Sequence, residues 1–269
     1  MSKNISANLF LNLMEMIAEN FTLNSESQFK NLQLGVQLFT KFVFLQDTLI
    51  DEDVIWVEQY EKKENILYDI NSSYRDAFYY LNQVFDQKHP FWNYLFDEEK
   101  NYYDFIIKEK YLNTTKSEIT LADFEEMTYA KHALALVPIK GMEWLFEAKV
   151  SYEAIEKIFV PIFNGMQMMD DIDDFYKDFS VGTWNFLQYE VQKIIRDENL
   201  VDDGTLTKFQ ERVFYASGIC KTNTAYVLHE YLKAKQFANT HQFSEIEKWI
   251  DLMIIEIKES IAFVDKVSN

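Results

Sequence analysis

Turn-forming residues are scarce in this chain of 269 residues, which contains six glycines and three prolines. Compact all-β folds depend on many tight turns, so the scarcity argues against one and favours long helices joined by short loops. A single cysteine, Cys220, excludes an intramolecular disulfide framework and suits a reducing compartment. Basic residues are few, 26 against 44 acidic ones, for a formal net charge of -18. A surface this acidic repels phosphate backbones and excludes sequence-independent nucleic-acid binding. It leaves room for a small phosphorylated ligand, because a divalent cation inverts the field locally. Long apolar runs are also missing. The best candidate, His132 to Phe146, is interrupted by Pro138, Lys140 and Glu143, and falls short of the roughly 20 residues that span a bilayer. The N-terminus carries no basic region followed by a long apolar run, so a cytoplasmic protein without a transmembrane segment is expected.

What is present is helical periodicity. Apolar residues make up 48% of the chain and aromatics 16%, enough for a deep core. Leu9, Leu13, Met16 and Ile17 follow the three-and-four spacing of an amphipathic helix. Further helices are predicted at about 25–52, 64–85 and 91–112, with His89-Pro90 as a break. Thr120 caps the next, with Asp123 three residues on, and Pro138 should kink or end it. After a cap at Ser151, one long helix is expected to reach about Phe179 despite Pro161 and Gly165. Asp202-Asp203-Gly204 is the clearest loop, and two helices near 205–237 and 244–267 complete the chain. No segment has a linker's composition and no repeat is visible. The expectation is a single all-α domain over 1–269, a helical bundle around a central cavity.

Two acidic constellations stand out. Asp170, Asp174 and Asp178 are spaced by four and form one row on a helix; Gln167 lies on that face a turn earlier and Asp171 flanks it. Like charges at this spacing destabilise an isolated helix by about 0.2–0.5 kcal/mol per pair, which a cation would remove. Magnesium accepts carboxylates together with waters and phosphate oxygens, so such a row opposite a diphosphate makes chemical sense. The apolar run Phe159 to Met169 directly precedes it, a setting that favours a cavity wall over a solvated face. The second constellation is Asp47 and Asp51, again four apart, which end a very apolar helix and are followed by Glu52 and Asp53.

Together these two clusters resemble the Asp-rich motifs of class I isoprenoid enzymes: terpene synthases, trans-prenyltransferases, and squalene and phytoene synthases. Asp47-Thr48-Leu49-Ile50-Asp51 is similar to the DxxxD element of squalene-type synthases. Gln167, Asp170, Asp174, Asp178 and Gly182 resemble the Q-x-x-[ND]-x-x-x-D-x-x-x-D-x-x-x-G pattern of the second motif. The resemblance implies a class I terpenoid-synthase-like fold and a cluster of magnesium ions held by Asp47, Asp51, Asp170, Asp171, Asp174 and Asp178. It implies ionisation of a prenyl diphosphate into an aromatic-lined cavity, and a homodimer.

A diphosphate also needs cationic donors. Lys131, mid-helix among apolar residues, resembles the prenyltransferase lysine that meets the diphosphate, and Arg75 and Lys177 are further candidates. His132, His229 and His241 lack the paired spacing of zinc ligands. Departures matter for the reaction. No basic pair follows Asp53, no N-terminal Gly-Lys-Arg element is present, and Asp173 and Thr183 stand where squalene-type synthases favour arginine. The expectation is therefore a terpene synthase, a lyase acting on one prenyl diphosphate by cyclisation or elimination. The alternatives are a prenyltransferase coupling two prenyl diphosphates, head-to-tail or head-to-head, and a non-catalytic isoprenoid-binding or helical partner protein.

Overall fold

A computed structural model describes residues 3–50, 63–204 and 206–267. The chain is all-α. Helices α1 (Lys3–Ile17), α2 (Glu26–Ile50), α3 (Lys63–Leu81), α4 (Phe91–Thr115), α5 (Leu121–His132) and α6 (Val137–Leu145) precede α7 (Tyr152–Asp173). After it come α8 (Phe175–Val181), α9 (Phe186–Asp197), α10 (Phe209–Ala216), α11 (Ile219–Thr240) and α12 (Ser244–Val267). Among the described residues the strands are two short ones, β1 (Phe21–Thr22) and β2 (Glu147–Ala148), paired antiparallel with Phe21 opposite Ala148. No described helix is long and apolar enough to cross a membrane.

The chain falls into two compact units. The first comprises Asn4–Asp97 and Ala135–Tyr152; the second comprises Glu98–Leu134 and Glu153–Asn269, with Met1–Lys3. In the first, α2 and α3 pack along their lengths, and Leu9, Leu13, Leu32, Phe39 and Leu81 are buried. In the second, α11 and α12 form an antiparallel pair, tied by Lys235 to Asp251 at 2.6 Å and by Lys221 to Asp265 at 2.7 Å. The core of this unit includes Ile158, Phe214, Val227, Ile250 and Ile257.

Local chemistry explains most boundaries. Thr120 caps α5 with a reciprocal box: its hydroxyl accepts from Asp123 N–H at 3.2 Å, and the Asp123 carboxylate accepts from Thr120 N–H at 2.9 Å. The stretch from Thr120 does not stay α-helical to Pro138. It ends at His132, and a 3₁₀ turn over Ala133–Leu136 leads into α6 with Pro138 in its first turn. There the missing proline N–H costs nothing, because first-turn donors have no helical partner. The helix expected near 205–237 is two, α10 and α11, divided at Ser217 and Gly218, with Gly218 at φ +83°. Strands β1 and β2 were not foreseen, since two residues are too few to show an alternation.

Candidate functional site

The acidic row begins where the most buried helix of the second unit ends. Ile158, Phe159, Ile162, Phe163, Met166 and Met168 of α7 are all buried, so the helix meets protein on every side. It runs through Pro161 without ending. Its end comes at Asp174, where the backbone relaxes to φ −92° and ψ 5°, earlier than the single helix expected to Phe179. The hydrogen-bond ladder survives the bend. Asp174 N–H donates to the Asp170 carbonyl at 2.9 Å and Asp178 N–H to the Asp174 carbonyl at 2.8 Å. The four-residue spacing of Asp170, Asp174 and Asp178 is thereby carried from α7 into α8.

These carboxylates differ in environment. Asp170 is exposed and Asp174 half-buried, with the Lys177 ammonium 3.4 Å from its Oδ2. Asp171 faces inward, 6% exposed, and its Oδ1 accepts from Gln167 Nε2 at 2.8 Å. Burial holds the Asp171 carboxyl well above the usual carboxylate range; the Gln167 bond and the Lys131 charge oppose this, and Asp170 and Asp178 reinforce it. Burial also raises Asp178, and the charges of Asp174 and Asp170 add to it, pushing it up to about 7. The four acids thus share one electrostatic field, in which ionising one makes ionising the next harder.

The motif's glycine has a local reason. Gly182 terminates α8 at φ +84°, in the left-handed region, and Thr183 N–H donates back to the Asp178 carbonyl at 2.9 Å. This is a Schellman-type cap, where any side chain would be strained. Lys116 donates to the Gly182 carbonyl. Trp184 fastens the next residues: its backbone N–H reaches Asn113 Oδ1 and its indole N–H reaches the Ser117 carbonyl, each at 2.7 Å. Asn185 then caps α9 by accepting from Gln188 N–H at 3.0 Å, and its Nδ2 donates to Asp178 at 3.1 Å. Buried Gln188 closes the loop by donating to the Phe175 carbonyl at 2.8 Å. Asn185, Gln188 and Lys116 escaped the sequence reading. The spacing of Asn185 and Gln188 matches a capping box, a signal that was there to find; Lys116 offered none.

Lys131 is half-buried at the end of α5, its ammonium 5.9 Å from the centre of the Phe105 ring and within the field that acts on Asp171. Lys131 thus acts on Asp171, the inward-facing acid beside the row. Beside it, burial and the Lys131 charge push His132 down to about 3. Its neutral ring stacks on Phe163 with centroids 5.0 Å apart, and its Nδ1 lies 2.8 Å from the Thr128 carbonyl. A cleft of about 260 Å³ lies between α4 and α5, floored by Phe105, Met127 and Ala130 and rimmed by Asp104, Lys108 and Glu126.

Arg75 belongs to the first unit. It is exposed, 67% at its side chain, and its Nε donates to Asp76 at 3.0 Å. Asp47 is half-buried near the end of α2 in the same unit, while Asp51 lies outside the described residues. That unit also holds a run of touching rings: Phe39 and Phe42 at 5.5 Å, Phe42 and Tyr74 at 4.7 Å, Tyr74 and Phe78 at 4.7 Å, then Phe78 and Trp92 at 5.5 Å.

Among the described residues, no three His, Cys, Asp or Glu side chains are gathered as a metal site. Magnesium does not require such a cage, since it binds through one or two carboxylates and fills its remaining positions with water and phosphate oxygens. Asp170, Asp174 and Asp178 offer oxygen donors, the chemistry a hard divalent cation takes, but the three are not gathered at one point among the described residues. No protein-family model matches the chain, and no curated protein sequence matches it.

Proposed function

We propose that the protein is a magnesium-dependent terpene synthase, acting on a single prenyl diphosphate and releasing inorganic diphosphate. One observation carries the reading. A helix whose middle is buried leads directly into three carboxylates at four-residue spacing, whose mutual repulsion at the edge of the core calls for a cation. Magnesium, when bound, supplies Lewis acidity toward the diphosphate oxygens. Asp170, Asp174 and Asp178 are its proposed ligands, Asp47 and Asp51 those of the first acidic motif. Lys131, with Lys177 and Arg75, is the proposed cationic donor to the diphosphate. Gln167 and Asn185 hold two of the acids in place by the bonds described above.

The test is diphosphate release by the full chain with magnesium, offering allylic diphosphates of increasing length singly and then with isopentenyl diphosphate. Release from one allylic substrate alone, with a hydrocarbon or alcohol product, is expected. Release only with the second substrate, giving a longer diphosphate, would make the protein a prenyltransferase. Carbon doubling from one substrate would mean head-to-head coupling. No magnesium-dependent release would leave a binding protein. Asp174→Asn should lower turnover on the order of a hundredfold or more while its helical circular dichroism is kept.

A further inference from the structure

Helix α12 buries one face and leaves the opposite one to solvent. Ile246, Ile250, Met253 and Ile257 point inward. The outward positions Lys248, Leu252, Ile255, Glu259, Ala262 and Lys266 are all exposed and follow an alternating four-three spacing, the seam of a helix pair. A solvated surface helix carries polar residues there. Instead, Leu252 and Ile255 are each 56% exposed at the centre, and Phe263 is 59% exposed beside the far end. Lys235 of α11 bonds to Asp251, which sets Leu232 one turn before it level with Ile255; Leu232 is itself about half-exposed and widens the patch.

We propose that this face binds the same face of a second copy of the chain, with the two α12 helices antiparallel and the two-fold axis passing between Leu252 and Ile255. The charge pattern selects the arrangement. In that register Leu252 meets Ile255 of the other copy, twice, and Lys248 meets Glu259, twice. A parallel pairing would set Lys248 against Lys248 and Glu259 against Glu259. An antiparallel pairing shifted by about one turn would bring Ile255 to Glu259 and Lys248 to Lys266. Only the first register puts apolar on apolar and opposite charges together. The existing pair from Lys248 to Glu245 at 2.6 Å does not hold Lys248 back, since both side chains are at least half-exposed and such pairs contribute little.

Sedimentation velocity of the full chain across the micromolar range tests it, using Lys248→Glu, Glu259→Lys, the double reversal and Leu252→Lys. The wild type is expected to dimerise. Each single reversal should weaken the dimer by about tenfold or more, and the double reversal should return it to near wild type. Leu252→Lys should leave a monomer. All three positions lie at the surface, so thermal melting of the monomers checks that the fold is intact. A wild type that stays monomeric, a dimer indifferent to the single reversals, or a double reversal no tighter than the singles would each overturn the proposal.

Discussion

Helices α7 and α12 are of nearly equal length, 22 and 24 residues, and stand in opposite relations to solvent. Through its middle α7 is enclosed by protein, and charge is confined to its first two turns and its last. Helix α12 shows one buried face and carries charge along the other. The same carboxylate chemistry therefore behaves differently on the two. Near α7, low polarisability and mutual repulsion push Asp171 and Asp178 upward. On α12 the acids are solvated, and a pair such as Glu245 with Lys248 is worth at most about 1 kcal/mol. Charge at the end of α7 is costly, while charge on α12 is cheap and useful only as a pattern.

The largest break in this contrast should come from the packing that encloses α7. A Cβ on Gly165 would sit 3.1 Å from the Tyr231 ring of α11, with two more ring atoms within 3.3 Å. Gly165→Ala is expected to destabilise the protein by about 1–3 kcal/mol, read from the urea midpoint. An unchanged midpoint would mean that α7 and α11 separate easily.

A smaller effect tests the charge. With its carboxyl raised to about 7, Asp178 binds a proton in the folded state through the window from about 4 to 7, where the unfolded chain has released it. At this site the folded state holds more protons, so Asp178 takes stability from the metal-free protein as pH rises through that window; Asp171 acts the same way and neutral His132 the opposite way. Asp170, Asp174 and Glu109 push the same way and Lys177 opposes them. Asp178→Asn should remove this one contribution to the slope and raise stability at pH 8 by about 1–2 kcal/mol. Melting curves of both proteins between about pH 4 and 8 decide it, and parallel curves would show that Asp178 titrates normally.

The smallest expected change sharpens the row itself. Asp171→Asn keeps an acceptor for Gln167 and removes a charge that burial already disfavours, so stability should move by less than about 1 kcal/mol. Turnover of this variant should stay within a few-fold of wild type. A loss as large as that of Asp174→Asn would place Asp171 among the metal ligands.

Much of the helical order was legible because its signals are local. The box at Thr120, the loop at Asp202 to Gly204 and helix 244–267 are written in adjacent residues, and the spacing of Asp170, Asp174 and Asp178 needs only the helical repeat. The bend at Asp174 was not legible, because the backbone bonds on both sides of it are ordinary helical ones. The break at Gly218 was missed because glycine inside an apolar pattern is tolerated as often as it ends a helix.

Within the candidate site the division is similar. Sequence alone determined that the chain is helical and that an acidic row follows an apolar helix, since periodicity and residue type suffice for both. Tertiary structure decided which acids are buried, that Lys131 acts on Asp171, and that Asn185 and Gln167 fasten two of them. Those outcomes depend on what packs against a residue from distant parts of the chain, and burial rather than residue type sets the strength of an electrostatic interaction.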